Sequence, residues 1–474
     1  MSDPFSTNNP YLQGNFAPWL EEEDHPDLPV KGELPETLRG SYYRNGSNPP
    51  YAPGANYHWF FGDGMIQAFH FDEGRCSHLN RWVRTERYEA QRKYEAGIFG
   101  GIGPEASPDP RAEGHSPNAS NTHVLWHAGR LLSLWEAGPP YEVDPITLET
   151  RGIHDYGGAF YRERFGGRNP DIMTAHPKID PDTGEWIGFG YSPLEPWLVY
   201  HAVGRDGALT RSFELEAPFP SMMHDFIVSA DYAVFPIFPA VFDFGVMADT
   251  GLPLSWEPER GTHVGVLPRD GTAEDMVWFD HEACYCFHTV NAHVEGSKLI
   301  AELFTTPGAP LYQGPGAQPP RLKRWTLDLE KGGLKQEDLD DAPAEFGVID
   351  PRHAGKAYRH IFTMGSVDYP NMKGQPEGFD SIFHYDLKTG RREAHRLPNG
   401  DCAGEPCFVP RSRDAEEGDG HVLSIVYRRD ENRSDLIVVD TQDFTGEPAA
   451  IVQMPHRIPF GFHGSWRPAG GAGR

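Results

Sequence analysis

Four histidines and three glutamates stand in stretches of the sequence that are otherwise apolar. In chain order they are Glu136, His176, His224, His288, Glu345, Glu405 and His463. The gaps between neighbours in this series are 40, 48, 64, 57, 60 and 58 residues. A buried imidazole needs a partner for both ring nitrogens. Each of these histidines is therefore either satisfied by nearby backbone groups or held in place for chemistry.

Four imidazoles that meet at one point could bind a metal ion, and three carboxylates could accept the outward N–H of three of them. Imidazole suits zinc, copper, iron and nickel. Four neutral ligands on an octahedral ion leave two positions open. This favours iron(II) that binds dioxygen beside a substrate. A closed, tetrahedral zinc site is the alternative, and it fits less well.

Short β-strands separated by turns must bring these distant residues together. Strand-and-turn patterns occur in "HVLWHAGRLLSLWEA", "DPDTGEWIGFGYS", "HVEGSKLIAELF", "IFHYDLKTGRREAHRL" and "HVLSIVYRRDENRSDLIVVDTQDF". Many such strands are typical of an all-β fold. A propeller, a β-helix and stacked sandwiches are all open at 474 residues, since no clear repeat is visible. The series of seven comes close to one residue per four-stranded blade, and the inner strands of a propeller run beside its axis.

Two regions break the strand pattern. Residues 84–118 combine a predicted helix, "TERYEAQRKYEAGIFG", with a loop rich in Gly and Pro. Residues 235–262 form an apolar segment that begins "FPIFPAVF". The main expectation for this segment is packing over a central cavity. The alternative is weak hydrophobic contact between residues 235–256 and a membrane surface.

The composition excludes several classes of protein. The net charge of −27 repels phosphate backbones, so nucleic acid is not an expected partner. Five cysteines without a C-x-x-C pair predict neither a disulfide framework nor a zinc knuckle. No apolar run reaches the roughly 18 residues of a membrane helix. The start of the chain has no signal-peptide pattern. We therefore expect a cytoplasmic protein, with contact at the inner face of a membrane as its alternative location.

Several motifs follow one another in an order that resembles a known family. They are "LRGSYYRNGSNPP", "YHWFFGDGMIQAFHF", "SLWEAGPPYEVDPITLET", "TAHPKIDPDTGE", "MMHDFIVSADYAVFP", "FHTVNAHVEG", "EFGVID", "GEPCFVP" and "PFGFHGSW". From about residue 33 to residue 467 the chain resembles the carotenoid cleavage oxygenases. That family also includes the lignostilbene dioxygenases and the vertebrate retinoid isomerase.

The resemblance implies a seven-bladed β-propeller with a dome of loops and helix over its active-site face. It implies one domain over residues 1–474, with peripheral tails at 1–32 and 468–474. A ferrous ion would be held by His176, His224, His288 and His463, which Glu136, Glu345 and Glu405 would orient. Thr122, in "SNTHVLWH", would stand beside an open position on the iron as a catalytic residue.

The implied reaction is the cleavage of a C=C bond by dioxygen to give two carbonyl products. We expect Trp135 and Phe60 to contact the substrate. Stilbene-cleaving members usually carry a lysine where this chain has Trp135, so the sequence favours a carotenoid or apocarotenoid. The alternative substrate is a stilbenoid or phenylpropanoid. More remote alternatives for the function are a non-catalytic binding propeller and a retinoid-type isomerase-hydrolase. No protein partner is predicted.

Overall fold

A computed structural model describes residues 5, 8–54, 57–100, 109–164, 167–246, 253–309, 318–367, 378–398 and 400–470. Their strands are, in chain order, Asp24–His25 (β1), Val30–Gly32 (β2), Gly40–Arg44 (β3), Met65–Asp72 (β4), Arg75–Trp82 (β5), His123–His127 (β6), Arg130–Leu134 (β7), Tyr141–Val143 (β8), Thr150–Ile153 (β9), Tyr161–Arg164 (β10), Gly167–Pro170 (β11), Lys178–Ile179 (β12), Trp186–Tyr191 (β13), Leu198–Val203 (β14), Leu209–Leu215 (β15), Ile227–Val228 (β16), Tyr232–Ile237 (β17), Ala240–Phe242 (β18), Leu254–Trp256 (β19), Thr262–Pro268 (β20), Val277–His281 (β21), Tyr285–Glu295 (β22), Lys298–Thr306 (β23), Arg321–Asp328 (β24), Leu334–Val348 (β25), His360–Gly365 (β26), Ser381–Asp386 (β27), Arg391–Arg396 (β28), Cys402–Ala403 (β29), Cys407–Pro410 (β30), Gly420–Arg428 (β31), Arg433–Asp440 (β32), Ala450–Gln453 (β33) and Gly464–Pro468 (β34). The all-β prediction is confirmed.

Thirty of these strands make seven successive groups of antiparallel pairs, and β10–β11 and β18–β19 form two separate hairpins. The groups are β1 with β3–β5 and β34; β6–β9; β12–β15; β16, β17, β20 and β21; β22–β25; β25–β28; and β2 with β29–β33. Strand β25 belongs to two groups, because its first part pairs with β24 and its last part with β26. The seven groups correspond to the seven blades of a β-propeller.

The first and last blades close the ring. β34, near the end of the chain, pairs with β3 over the register from Arg44–Gly464 to Gly40–Pro468. β2 pairs with β33 and β1 pairs with β5, so residues 24–25 and 30–32 are parts of the sheets. One domain over residues 1–474 with peripheral tails remains a prediction.

Turn chemistry explains the hairpins. β6 and β7 are joined by Ala128 and Gly129, which have φ of 49° and 78°. Positive φ at both central residues is the type I′ geometry that matches the twist of paired strands. The largest apolar cluster lies among the third, fourth and fifth blades and includes the fully buried Phe235, Phe238 and Trp325.

One α-helix is present in the described residues, α1 at Glu86–Tyr94, inside the stretch where the sequence predicts a helix. Thr85 caps it by accepting a hydrogen bond from the backbone N–H of Tyr88 (3.1 Å). Arg87 donates to the carbonyl of Phe61 (2.5 Å) and to Asp63. The helix thus supports the short 3-10 turn Trp59–Phe61.

The first part of the apolar segment 235–262 is interior. Residues 235–241 are buried and join β17 and β18 to the apolar cluster, as the packing prediction expects. Phe244 is 56% exposed, and residues 247–252 lie outside the described part. Across the described residues, no helix is long and apolar enough to cross a bilayer.

Candidate metal centre

The predicted histidines meet at one place because each lies within, or just before, an edge strand of a different blade. His176 comes just before β12, His224 before β16 and His463 before β34, whereas His288 lies within β22. One ring nitrogen of each lies within 4.8 Å of the others, and the Nε2 atoms of His176 and His224 are 2.9 Å apart. These edges belong to four different blades, so they are the inner strands of the ring.

Each of three imidazoles meets one of the three predicted glutamates through Nδ1. His224 Nδ1 lies 2.5 Å from Glu136 Oε2, and His288 Nδ1 lies 2.5 Å from Glu345 Oε2. His463 Nδ1 lies 2.6 Å from Glu405 Oε1. A carboxylate accepts, so Nδ1 carries the proton and Nε2 presents its lone pair to the cluster.

Burial controls the protonation of the site. It holds the pKa of His176 and His463 well below the usual value, and the neighbouring imidazoles lower both further. Burial also acts to lower the pKa of His224, but Glu136 outweighs it and the pKa ends above its usual value. Burial raises the pKa of Glu405 to about 7, against the opposing effect of Arg44.

The donor set fits a metal ion. His288 Nε2 is buried and has no hydrogen-bond partner among the described residues. A buried acceptor without a partner is unfavourable unless something binds it. Imidazole nitrogens bind divalent transition metals at about 2.1 Å, which places adjacent ligands of an octahedral ion roughly 3 Å apart. The 2.9 Å between His176 and His224 agrees with that separation. The four-histidine cluster can therefore hold a metal ion.

Thr122 lies next to the cluster. Its carbonyl accepts a hydrogen bond from the backbone N–H of His463 (3.1 Å). Its buried hydroxyl donates to Asn121 Oδ1 (3.0 Å). Asn121 in turn donates to the carbonyls of Phe60 and Gly62 (3.0 and 2.7 Å). Thr122 is thereby linked both to a histidine of the cluster and to the turn under α1.

Aromatic side chains cover the cluster on one side. The Phe60 ring lies 6.3 Å from Phe287 and 5.7 Å from Phe462, and Phe287 lies 5.5 Å from His224. Phe287 and Phe462 both belong to this aromatic group. Trp135 is half-buried and follows the end of β7, directly before Glu136.

A polar network that the sequence analysis missed joins three of the histidine segments. Asp225 accepts from Lys178 Nζ (2.8 Å) and from both the backbone N–H and the hydroxyl of Thr289 (2.8 Å each). Lys178, Asp225 and Thr289 follow His176, His224 and His288 within two residues. A signal was therefore available, namely a polar residue within two positions after three of the four candidate ligands, with opposite charges on Lys178 and Asp225.

Arg44 is a second residue that the sequence analysis missed. It is 2% exposed, donates to the carbonyl of Glu405 (3.1 Å) and lies 3.5 Å from Glu405 Oε2. His123 is half-buried, and its ring lies 5.6 Å from that of His463. Neither shows a pattern that sets it apart in the sequence, beyond the place of Arg44 in "SYYRNG".

A ring of seven blades with a four-histidine cluster at its inner strands defines a metalloprotein propeller. The model of the retinal pigment epithelial membrane protein family matches residues 16–468. The chain belongs to this family of carotenoid cleavage oxygenases and their relatives, and it is an enzyme of the oxygenase class.

The chain is similar to relatives that differ in the substrates they are named for. Isoeugenol monooxygenase from Pseudomonas putida is 37% identical over 483 residues, which cover 98% of this chain and 99% of that protein. The lignostilbene dioxygenase structure from Pseudomonas brassicacearum matches with a TM-score of 0.89 and 33% identity, covering 98% and 99%. Cobalt-substituted apocarotenoid oxygenase from Synechocystis matches with a TM-score of 0.83 and 27% identity, covering 95% and 97%.

Proposed function

We propose that the chain is an iron(II)-dependent dioxygenase that cleaves a conjugated carbon–carbon double bond. The observation that carries the proposal is the meeting of four imidazoles from four blades, three of them hydrogen-bonded to carboxylates. His176, His224, His288 and His463 would hold the ion. Neutral nitrogen donors without thiolate or carboxylate suit a redox-active ion that keeps open positions.

Iron(II), when bound, supplies the activation of dioxygen. One alkene and one dioxygen give two carbonyl products, so the atoms balance and no side chain has to transfer a proton. Glu136, Glu345 and Glu405 hold the Nδ1 protons and so orient the rings. We assign Thr122 a place beside an open position, because it is joined to His463. The aromatic cover that includes Phe60 excludes water from the reacting atoms.

The first candidate substrate is a carotenoid or apocarotenoid. Trp135, which we propose contacts the substrate together with Phe60, has no amine to engage a phenol and suits an apolar chain. Successive residues within a strand point to opposite faces, but β7 ends at Leu134, so strand alternation does not turn Trp135 away from Glu136.

The second candidate is a hydroxylated stilbene or phenylpropene. It is favoured by the similarity to isoeugenol monooxygenase and to lignostilbene dioxygenase over nearly the whole chain. Both candidates present a conjugated alkene, so the proposed reaction is the same and only the fit of the cavity differs.

Product analysis separates the candidates. Purified enzyme loaded with iron(II) is incubated under ¹⁸O₂ with an apocarotenal, with a 4-hydroxystilbene and with isoeugenol, and the aldehydes are identified by mass spectrometry. We expect labelled carbonyl products from one class. The same assay with Trp135→Lys should shift turnover toward the phenolic substrates. Absence of ¹⁸O from every product would contradict a dioxygenase.

His224→Ala tests the metal centre itself. We expect this variant to lose bound iron and substrate-dependent oxygen uptake together, because one of four ligands is gone. His263→Ala is the matched control, since His263 is a half-exposed partner of Asp280 on another surface. Oxygen uptake at the wild-type rate in a folded His224→Ala protein would remove His224 from the ligand set.

We further propose that the protein works in the cytoplasm and makes weak hydrophobic contact with a membrane surface within residues 235–256, through Phe244. The exposure of Phe244 supports this restricted contact, because residues 235–241 are buried.

A further inference from the structure

A second group of histidines lies where the N-terminal segment meets the end of the ring. His25 is in β1, His78 in β5 and His456 in the connection between β33 and β34. One ring nitrogen of each lies within 4.8 Å of the other two. None of these residues takes part in the four-histidine cluster.

Hydrogen bonds decide which nitrogens carry protons in two of these rings. His78 Nε2 contacts Gln67 Oε1 at 2.9 Å, and His456 Nδ1 contacts the carbonyl of Arg457 at 2.9 Å. Carbonyl oxygens only accept, so these two nitrogens donate. His78 Nδ1 and His456 Nε2 are then left with lone pairs.

No proton donor meets those lone pairs within the described residues. His78 Nδ1, His456 Nε2 and His25 Nε2 are all buried without a hydrogen-bond partner. Glu23 Oε2, which is itself an acceptor, lies 3.1 Å from His456 Nε2. A cation between acceptors that face one another in this way would stabilise them.

We propose that Glu23, His25, His78 and His456 form a zinc(II) site. Three imidazoles and one carboxylate make a closed four-coordinate set of the kind that zinc prefers in structural sites. Ligand atoms of a tetrahedral zinc ion lie about 3.4 Å apart, so the three nitrogens, now within 4.8 Å of one another, would move closer together on binding. The Glu23 carboxylate lies 3.1 Å from His456 Nε2 and 4.0 Å from His25 Nε2 but outside the group of mutually close donors, so it would turn toward His78.

Outer contacts support this site. Trp19 Nε1 donates to Glu23 Oε2 (3.0 Å), and its indole stacks on His456 with ring centroids 4.4 Å apart and 8° between the planes. Such contacts fix the orientation of metal ligands. The ion would fasten the segment of residues 19–25 to β5 and to the connection before β34, which strengthens the closure of the ring.

Metal analysis tests the proposal with the full-length protein. The protein is loaded anaerobically with iron(II), exposed to excess zinc(II), desalted and analysed for both elements. We expect two metal ions per chain in the wild type and one in His25→Ala. His25 is half-buried on a two-residue edge strand, so its replacement leaves the blades intact. His263→Ala, the control, should bind two.

A second variant and a second measurement distinguish the loss of the zinc site from misfolding of the protein. His456→Ala should also bind one ion, and cobalt(II) in place of zinc should give the strong visible absorption of a four-coordinate ion only when all four ligands are present. Zinc should raise the melting temperature of the wild type but not of His25→Ala. A wild type that binds a single ion, or a folded His25→Ala protein that still binds two, would overturn the proposal.

Discussion

At the residue scale, the chemistry of the four-histidine cluster depends on which nitrogen of each ring is protonated. Glu345 and Glu405 hold the Nδ1 protons of His288 and His463, so the Nε2 lone pairs face one another. Without the carboxylates, either tautomer would be available to a neutral imidazole. The glutamates therefore prepare the site for an ion before it arrives.

Replacing Glu405 with Gln should weaken the metal site. Both oxygens of Glu405 accept: Oε1 from His463 and Oε2 from the backbone N–H of Gly464 (2.8 Å). Glutamine has only one acceptor oxygen, so one of these donors loses its partner. We expect the affinity for iron(II) to fall about 10–100-fold, measured by competition with a chelator.

Glu259→Gln is the control for this change, because Glu259 is exposed. Equal chelator competition by Glu405→Gln and the wild type would show that Glu405 does not orient His463.

The residues that converge could be predicted from the sequence because a histidine or glutamate in an apolar stretch is unusual and needs a reason. The structure brings all seven together, in the pairs His224–Glu136, His288–Glu345 and His463–Glu405. Which glutamate meets which histidine could not be predicted, since the partners are far apart in the chain. The buried contact of Arg44 with Glu405 stayed hidden for the same reason.

At the element scale, the turns were predictable and the strand ends were not. Gly-containing turns mark the hairpins, as between β6 and β7, because few residue types adopt positive φ readily. The stretch around His224 looks like one strand in the sequence, but β16 starts only at Ile227. A local pattern cannot show where a neighbouring blade stops pairing. It is this irregular backbone that aims His224 inward.

The turn Trp59–Phe61 should make stability depend on pH. His58 caps this turn by accepting from the N–H of Phe60 (3.2 Å), and burial lowers its pKa to about 4. The unfolded chain, with a histidine pKa near 6.5, takes up a proton first as the pH falls. Stability from neutral His58 is therefore full above pH 6.5 and is lost between about pH 6.5 and 4.

His58→Asn isolates this effect, because asparagine can still cap the turn but does not titrate. Between pH 6.5 and 5, the free energy of unfolding should fall by about 1.5 kcal/mol more in the wild type than in His58→Asn, measured by urea unfolding. His115→Asn, at a half-buried partner of Glu86, serves as the control. Parallel pH profiles for wild type and His58→Asn would contradict the assignment.

At the scale of the whole molecule, closure of the ring sets the geometry of the centre. β3 and β34 are more than 400 residues apart in the chain and yet pair directly, and His463 stands at the start of β34. The sequence shows many strands but no repeat, so the number of blades followed from family resemblance and not from periodicity. Long-range pairing of this kind leaves no local signal.

Asn45 should stabilise the junction between the first and second blades. Its side-chain amide is fully buried and donates to the carbonyls of Ser120 and His123 and to Ser133 Oγ, at 3.0–3.2 Å. These bonds join the first blade to the second. Asn45→Ala leaves buried acceptors without a donor and should lower the free energy of unfolding by about 3 kcal/mol, measured in urea.

Gln318→Ala, at an exposed position, should change stability by less than about 0.5 kcal/mol. If Asn45→Ala unfolds at the same urea concentration as the wild type, Asn45 does not hold the two blades together.

Binding to a lipid surface depends on the whole molecule, because the attraction of one apolar site competes with the repulsion that a net charge of −27 produces. Phe244 is 56% exposed, and its insertion into a bilayer would contribute about 2 kcal/mol, whereas the acidic surface is repelled by anionic lipid. We expect weak sedimentation with phosphatidylcholine vesicles, less with phosphatidylglycerol vesicles, and a loss of binding of roughly 10-fold or more in Phe244→Ser. Ile146→Ser is the matched control, because Ile146 is 59% exposed in a turn of another blade. Equal sedimentation of the two variants would mean that Phe244 does not enter the lipid, and the apolar segment would then serve only to pack the blades beneath it.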